Sequence, residues 1–229
     1  MGAPAFLVCD TDALIQLMLA AETRPLRIFK AQYGIQPIVV PEVEIELASN
    51  RRYGARIKAE VKKALANSLI RVLDQSLLDQ HYGNSPAGGI AAYATMAEIY
   101  SLGRVLSRYA DTGEAYTHAA AIKMDAPSLS NDRTALNALL NNRCEVPKTV
   151  LQTFDTLVFC YQVGAMTEAD CDRFRQTMFA NKEYVPACFR RVSFIGGLPH
   201  YSPRIYDSTK PMVGSNSVQG LPFATPIIL

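Results

Sequence analysis

The stretch Phe6-Leu7-Val8-Cys9-Asp10-Thr11-Asp12 predicts the layout of the whole chain. Its apolar residues form a short run that stops at an Asp-Thr-Asp triplet, and a helical pattern begins near Ala13. A short apolar run bounded by polar residues is typical of a strand that is buried on both faces. Such a strand followed directly by a helix indicates an α/β protein, with Asp10 at the carboxyl end of the first strand.

Strand and helix patterns alternate along the rest of the chain. A helix at residues 26–33 is ended by Gly34, a strand follows at 38–40, and Pro41 opens the next helix. Strands separated by helices indicate a parallel sheet covered on both faces. We therefore predict an α/β fold, a three-layer sandwich with a central parallel sheet of about five strands. The other predicted strands are residues 69–73, 128–130 and 144–146, and the other helices include residues 51–66, 91–109, 150–163 and 168–179, with a polar loop at 81–89.

The end of the chain differs in composition from what precedes it. From Gly196 onward, Gly, Pro and Ser are frequent and helical periodicity is lost. We predict one domain at residues 1–180 and a partly irregular C-terminal extension at residues 181–229. The extension is expected to pack on the domain or on a partner, and simple disorder is an equal alternative for roughly its last twenty residues.

Acidic residues occur at the points of the chain that this fold would bring together. Asp10 ends the first strand, Glu46 lies on the helix after the second, and Asp132 ends the fourth. Ligands of open α/β sheets bind beyond the carboxyl ends of the strands, where the strand order reverses. Clustered carboxylates repel one another unless cations neutralise them, and Mg²⁺ and Mn²⁺ prefer oxygen ligands. The other acids of this set are Asp12, Asp111 and Glu114, the last two in the first turn of a later helix.

Each of these acids taken alone also has a structural explanation. Asp10 and Asp12 could cap the helix that follows them, and Asp132 could do the same for its own helix. Asp111-Thr112-Gly113-Glu114 has the form of a capping box, and Glu46 alone is a solvated helix residue. The order of all of them along the chain favours a metal site, at which one ion activates water and a second stabilises the leaving oxygen.

Four segments carry a resemblance to a known family. They are Leu7-Val8-Cys9-Asp10-Thr11-Asp12, residues 39–47, Asp111-Thr112-Gly113-Glu114-Ala115 and Leu129-Ser130-Asn131-Asp132-Arg133. In this order they resemble the PIN-domain nucleases, most closely a prokaryotic branch with an Asp-x-Gly-Glu-Ala motif. Residues 150–168 look like the closing helices of that branch, so the resemblance extends over about residues 5–180.

The resemblance implies a divalent-metal-dependent nuclease, most often an endoribonuclease that cuts single-stranded or structured RNA with Mg²⁺ or Mn²⁺. Many family members are the toxins of toxin–antitoxin pairs, so RNA (or alternatively DNA) and an antitoxin are the implied partners. The implied metal-binding and catalytic residues are Asp10, Glu46, Glu114 and Asp132, and the implied supporting residues are Asp12, Asp111 and Asn131.

The chain departs from the family in two places. The insert at residues 76–109 is longer than the compact toxins need, and the tail after about residue 180 has no counterpart that we can match. Both departures leave the substrate and the toxin assignment open.

Basic residues are concentrated in one predicted helix. Between Arg51 and Arg71 the only acid is Glu60, although the formal net charge of the whole chain is +2. A stripe of this kind would bind phosphates in a salt-dependent manner, whereas the alternative is an ordinary solvated helix face. The predicted nucleic-acid-binding residues are Arg51, Arg52, Arg56, Lys58, Lys62 and Lys63.

Cysteine and histidine usage indicates reduced thiols and no zinc site. The five cysteines form no Cys-x-x-Cys pair, and His81, His118 and His200 are isolated, so we expect structural or surface histidines. The start of the chain lacks the pattern of a secretory leader, and no uncharged apolar run is long enough for a membrane span. We expect a cytoplasmic protein without a membrane partner, and a homodimer is a further expectation.

Two other functions remain open. The segment Val8-Cys9-Asp10-Thr11-Asp12 also resembles the first motif of haloacid-dehalogenase-type phosphatases, in which the first Asp is a nucleophile. That function needs a downstream catalytic Lys and a further acidic pair, and Asn131-Asp132-Arg133 lacks the usual Gly-Asp-x-x-x-Asp form. The second alternative is a non-catalytic module that keeps the fold in order to bind RNA or protein.

Overall fold

A computed structural model describes residues 5–49, 54–83 and 85–201 together with the backbone of residues 206–207, and it confirms the α/β sandwich. The sheet has the strand order β3-β2-β1-β4-β5-β6. Strands β1 to β5 are parallel, as expected, and β6 pairs antiparallel with β5. The strands are β1 (Ala5–Cys9), β2 (Ile35–Val39), β3 (Arg71–Val72), β4 (Ser128–Leu129), β5 (Thr149–Leu151) and β6 (Tyr206–Asp207).

Helices cover both faces of the parallel strands. Helices α5, α6 and α7 pack on one another, and α7 lies against β1 and β4. Helix α1 packs against α4, α9 and α10 in the other layer. The helices are α1 (Thr11–Leu19), α2 (Arg24–Tyr33), α3 (Pro41–Ser49), α4 (Gly54–Ala66), α5 (Gln75–Tyr82), α6 (Pro86–Leu106), α7 (Thr112–Lys123), α8 (Arg133–Asn141), α9 (Thr153–Gln162), α10 (Glu168–Ala180) and the single turn α11 (Phe194–Gly197). None of the described helices is both long enough and apolar enough to cross a membrane.

The strand order reverses between β1 and β4. The chain passes from β1 to β2 and then to β3 on one side of β1, whereas β4 and β5 lie on its other side. At this reversal Val8 is in register with Ser128, and Cys9 with Leu129. The loops that follow two neighbouring strands therefore separate to opposite faces and leave a crevice, which is where open α/β sheets bind ligands.

Local sequence explains most of these elements. Residues 6–9 of β1 are buried, because helices cover both faces of this central strand. Gly34 ends α2 in the left-handed conformation, with φ 64°, and Pro41 occupies the first turn of α3. In α4 the side chains of Ile57 and Val61 are buried, which confirms the apolar stripe of the basic helix.

The predicted fifth strand at residues 144–146 is wrong. The structure has no strand there, and β5 is Thr149–Leu151, which pairs with β4 and overlaps the first two residues of the helix predicted at 150–163. The helix begins only at Thr153, because the carboxylate of Asp155 accepts a hydrogen bond from the backbone N–H of Gln152 and fixes the first turn there. The predicted loop at 81–89 is also shorter, since α5 extends to Tyr82 and α6 begins at Pro86.

The segment after α10 packs on the domain through aromatic side chains. Phe189 is fully buried and stacks on Phe154 of α9, with ring centroids 5.6 Å apart. The hydroxyl of Tyr201 donates a 2.7 Å hydrogen bond to the buried carboxylate of Asp155. The extension predicted from residue 181 thus packs on the domain over residues 185–201, whereas residues 202–205 and 208–229 lie outside the described residues.

We expect Tyr201→Phe to lower the free energy of unfolding by about 1–3 kcal/mol, because the buried Asp155 carboxylate loses a donor. Burial already raises the pKa of Asp155 to about 6, and the Tyr201 hydroxyl opposes that shift. Urea unfolding would measure the change. The matched control is Tyr93→Phe, because the Tyr93 side chain is 72% exposed, and an equal loss in both variants would contradict the prediction.

Candidate active site

A cavity of about 480 Å³ opens at the carboxyl end of the sheet. The described residues of its lining all have carboxylate or hydroxyl side chains, and they come from the ends of β1 and α3 and from the starts of α1, α7 and α8. All four predicted metal-binding acids are among them. The lining residues are Asp10, Thr11, Asp12, Glu46, Ser49, Asp111, Thr112, Glu114 and Asp132.

Asp10 occupies the reversal of strand order. Its backbone N–H donates to the carbonyl of Leu129 at 2.9 Å, which ties the end of β1 to β4. Asp10 is the N-terminal capping residue of α1 by position, but its side chain accepts no capping hydrogen bond. Only 4% of the residue is exposed. The helix cap therefore does not account for this buried carboxylate.

Glu46 is held over the cavity by two neighbouring elements. Its carboxylate accepts a short hydrogen bond from the hydroxyl of Thr11 at the start of α1. It also accepts a 3.0 Å hydrogen bond from the backbone N–H of Gly113 in the first turn of α7. Two donors fix one side chain of α3, so Glu46 is more than a solvated helix residue.

Gly113 leaves the space that the Glu46 carboxylate occupies. A Cβ atom at this position would come within 2.5 Å of Oε2 of Glu46. We expect Gly113→Ala to displace Glu46 and to lower any metal affinity of the cavity by about 10–100-fold, the usual effect of disturbing a supporting contact. Calorimetry with Mn²⁺ would measure this, and Ala115→Gly on the same helix is the neighbouring control. Unchanged affinity in Gly113→Ala would show that the Glu46 position does not matter.

Glu114 is buried between a hydroxyl and an imidazole. The hydroxyl of Ser130 donates to its Oε1 at 2.6 Å, and Nε2 of His118 lies 3.0 Å from the same oxygen. The His118 ring is not aligned for a hydrogen bond, and burial lowers its pKa to about 4, so the imidazole is neutral. Burial raises the pKa of Glu114 to about 8, with further contributions from the charges of Asp132 and Asp12.

Asp132 and Asn131 have structural roles at the end of β4. Oδ1 of Asp132 accepts hydrogen bonds from the backbone N–H groups of Thr134 at 2.7 Å and Ala135 at 3.0 Å. The capping alternative for Asp132 is thus confirmed, although the residue also lines the cavity. Asn131 does not line it, and instead exchanges hydrogen bonds of 2.8 and 3.0 Å with the side chain and backbone of Thr153.

The carboxylates destabilise one another's charged forms. Burial is the main reason why the pKa of Asp10 lies well above its usual value, and the charges of Glu114 and Asp12 raise it further. Among the described residues no basic side chain lines this cavity, so no ion pair within this part of the lining offsets the repulsion. A cation bound here would remove part of that electrostatic penalty.

The donor set fits a hard divalent cation, because carboxylate oxygens are the ligands that Mg²⁺ and Mn²⁺ prefer. In the described part of the chain, however, no group of three or more His, Cys, Asp or Glu side chains is arranged to hold a metal ion. Several oxygens are bonded to protein donors, among them Glu46 with Thr11 and Glu114 with Ser130. Metal binding at this cavity therefore stays a prediction.

Four of the basic residues predicted to bind nucleic acid are described, and they lie outside the acidic cavity. Arg56, Lys62 and Lys63 are exposed on α4 and Lys58 is half-buried, and none of them lines the acidic cavity. Arg51 and Arg52 lie outside the described residues. They follow within three residues of Ser49, the last residue of α3, which does line the cavity.

Three residues that support the acids were missed by the sequence analysis. Thr11 holds Glu46, Ser130 holds Glu114, and His118 stands beside Glu114 one helical turn later. Only the Glu114-x-x-x-His118 spacing, which puts both side chains on one face of α7, was a signal in the sequence. No protein-family profile, curated protein or solved structure matches this chain.

Proposed function

We propose that the chain is a divalent-metal-dependent nuclease of the PIN type, an endoribonuclease that hydrolyses RNA phosphodiester bonds. The observation that carries the proposal is the cavity at the reversal of strand order, which is lined by Asp10, Asp12, Glu46, Asp111, Glu114 and Asp132. Buried carboxylates that face one another are unfavourable in the free protein, and this cost is typical of functional sites.

The predicted metal-binding residues would hold Mg²⁺ or Mn²⁺ with carboxylate oxygens. When bound, such an ion supplies a hydroxide nucleophile at neutral pH and stabilises the charge on the leaving oxygen. The chain contributes the positions of the acids, since Thr11 and Gly113 hold Glu46 and Ser130 holds Glu114. Asp10 and Asp111 both occupy helix-capping positions without a side-chain capping hydrogen bond. Asp10 is the principal candidate ligand, because it is buried whereas Asp111 is exposed.

The same proposal extends to partners and setting. Many PIN-domain proteins are toxins paired with antitoxins, and we propose an inhibitor of this kind or a second copy of the chain as a protein partner. The five cysteines are unpaired in the structure, which supports a reducing cytoplasmic setting. DNA is the alternative substrate.

Cleavage of mixed RNA and DNA substrates tests the proposal. We expect the purified chain to cut single-stranded or structured RNA with Mn²⁺ or Mg²⁺ and to stop when the ions are removed by chelation. Readdition of Mn²⁺ should restore cutting. Cleavage that persists in excess chelator, or no cleavage of any substrate with either ion, would reject the metal-dependent nuclease.

Two measurements separate the alternatives. A haloacid-dehalogenase-type phosphatase needs a lysine beside its nucleophile, and no lysine of the described ranges lines the cavity. That alternative predicts a stable beryllium fluoride adduct on Asp10, whereas the nuclease predicts none. A non-catalytic RNA- or protein-binding module predicts that calorimetry detects no Mn²⁺ binding at all.

A further inference from the structure

A second polar surface lies on the same domain, between α2, α4 and α10. It consists of two adjoining cavities of about 530 and 580 Å³, which share Thr23 and Arg27 in their linings. Neither cavity shares a residue with the acidic cavity. We call the two together the basic groove. Its cationic side chains are Arg24, Arg27, Lys30, Arg56, Lys63 and Arg173.

The basic groove concentrates positive charge that the chain as a whole lacks. Its six cations stand against three acids, Glu22, Glu60 and Asp170. In the whole chain, 23 Lys and Arg stand against 21 Asp and Glu. The cationic excess of the protein is therefore largely located in this groove.

The ion pairs of the groove lie at one of its ends, around Arg24. Arg24 pairs with Glu22 and, at 2.7 Å, with Asp170. Arg27, Arg56 and Lys63 are exposed and form no ion pair with any other described residue. These three cations are thus available to an external anion.

The three cations without ion pairs are spread along both cavities of the groove and do not converge on one point. Arg56 and Lys63 are seven residues apart on α4, which is two helical turns or about 10.5 Å. Arg27 stands on α2 between the two cavities, since it lines both. A row of cations over this length fits several consecutive phosphates of a strand, which is the part of a nucleic acid that every sequence presents.

The groove and the acidic cavity lie at the two ends of one helix. Thr11, the first residue of α1, lines the acidic cavity, and Leu19, its last residue, lines the groove. Eight residue steps of α-helix separate them by about 12 Å. Residues 13–18 between these two ends are buried, so a strand held in the groove has to pass around α1 to reach the acids.

We propose that the basic groove binds the phosphate backbone of the nucleic-acid substrate. The identity of the ligand rests on the proposed nuclease function, whereas its polyanionic character rests on the groove alone. An acidic peptide is the less suitable occupant, because the groove offers few large apolar side chains to anchor one; they are Leu19, Leu69 and the buried Phe174.

Binding in chelator tests the groove without cleavage. The probe is a fluorescently labelled single-stranded RNA, and anisotropy is followed over NaCl concentrations from about 50 to 200 mM. We compare Arg27→Ala/Lys63→Ala with Arg104→Ala/Arg108→Ala. The second pair removes the same charge, but its exposed residues lie at the end of α6 and just after it and line neither cavity of the groove.

We expect the groove variant to bind on the order of tenfold more weakly at 100 mM salt, and its log–log salt slope to become smaller by about 1.4, or about 0.7 for each lost phosphate contact with a single strand. The control pair should lose less than a third of that slope. Equal losses in both variants, no loss in the groove variant, or full competition by poly-glutamate would overturn the proposal. If any of these results is found while Mn²⁺-dependent cleavage is normal, only the proposal that the groove binds the substrate is rejected. If RNA binding depends on the groove but no cleavage occurs, only the proposed nuclease function is rejected.

Discussion

Asp10→Asn should lower metal-dependent cleavage by at least about a hundredfold while the fold is retained. Asp10 is 4% exposed at the reversal of strand order, and its side chain serves no helix cap. Asn has nearly the same shape, so packing is conserved, but it removes the negative charge that would bind a divalent cation. Initial rates of RNA cleavage with Mn²⁺ would measure the loss.

The same substitution should stabilise the metal-free protein at neutral and alkaline pH. Burial and the neighbouring Glu114 raise the pKa of Asp10, so the folded chain holds a proton that the unfolded chain has already released. The free energy of unfolding therefore falls as pH rises above the unfolded-state pKa of about 3.9. Asn carries no titrating proton, so the melting temperature of Asp10→Asn in chelator should exceed that of the wild type at pH 8 and match it at pH 4.

Asp125→Asn is the matched control for both readouts. The Asp125 side chain is 70% exposed at the far end of α7, and its φ of 49° is one that Asn tolerates. We expect wild-type cleavage from this variant. Undiminished cutting by Asp10→Asn would remove Asp10 from the site, and a lower melting temperature of Asp10→Asn at pH 8 would show that its carboxylate is stabilised by groups other than a metal.

The order of strands and acidic residues along the chain could be predicted from the sequence, because both follow from short-range patterns. An apolar run ending in Asp predicts a strand with a carboxylate at its end, and α/β topology brings such ends to one edge. Residues 144–146 misled the strand assignment because Cys-Glu-Val alternates in polarity, whereas the observed strand Thr149–Leu151 does not. The pairing of Val150 with Ser128 decided between them, and this long-range contact has no local signal.

The supporting residues of the site were less predictable for a similar reason. Thr11 and Ser130 are small hydroxyl residues whose sequence positions suit a helix start or a strand end equally well. Their roles depend on which carboxylate approaches them, Glu46 from 35 residues away and Glu114 from 16 residues away. The basic groove was half predicted, since α4 supplies Arg56 and Lys63. The i, i+3, i+6 spacing of Arg24, Arg27 and Lys30 on α2 was a signal that the sequence prediction did not use.

Phe189→Ala should lower the free energy of unfolding by about 3–5 kcal/mol, the usual cost of deleting a fully buried Phe ring. The ring stacks on Phe154 and on Phe194, with centroids 5.6 and 5.1 Å away, and it contacts Tyr201 at 5.0 Å. It therefore joins the segment after α10 to the core of the domain. Phe179→Ala is the control, because that side chain is 61% exposed near the end of α10, and urea unfolding compares the two.

The size of the Phe189 effect decides whether the chain can be divided at residue 180. A loss of 3 kcal/mol or more in the free energy of unfolding would mean that the segment after α10 stabilises α9. In the first turn of α9, Asp155 accepts a hydrogen bond from Tyr201, and Thr153 is hydrogen-bonded to Asn131. Asn131 directly precedes Asp132, so release of the segment should then also lower cleavage. A loss below about 1 kcal/mol would instead show that residues 1–180 fold independently, because an alanine there would leave no cavity in a shared core.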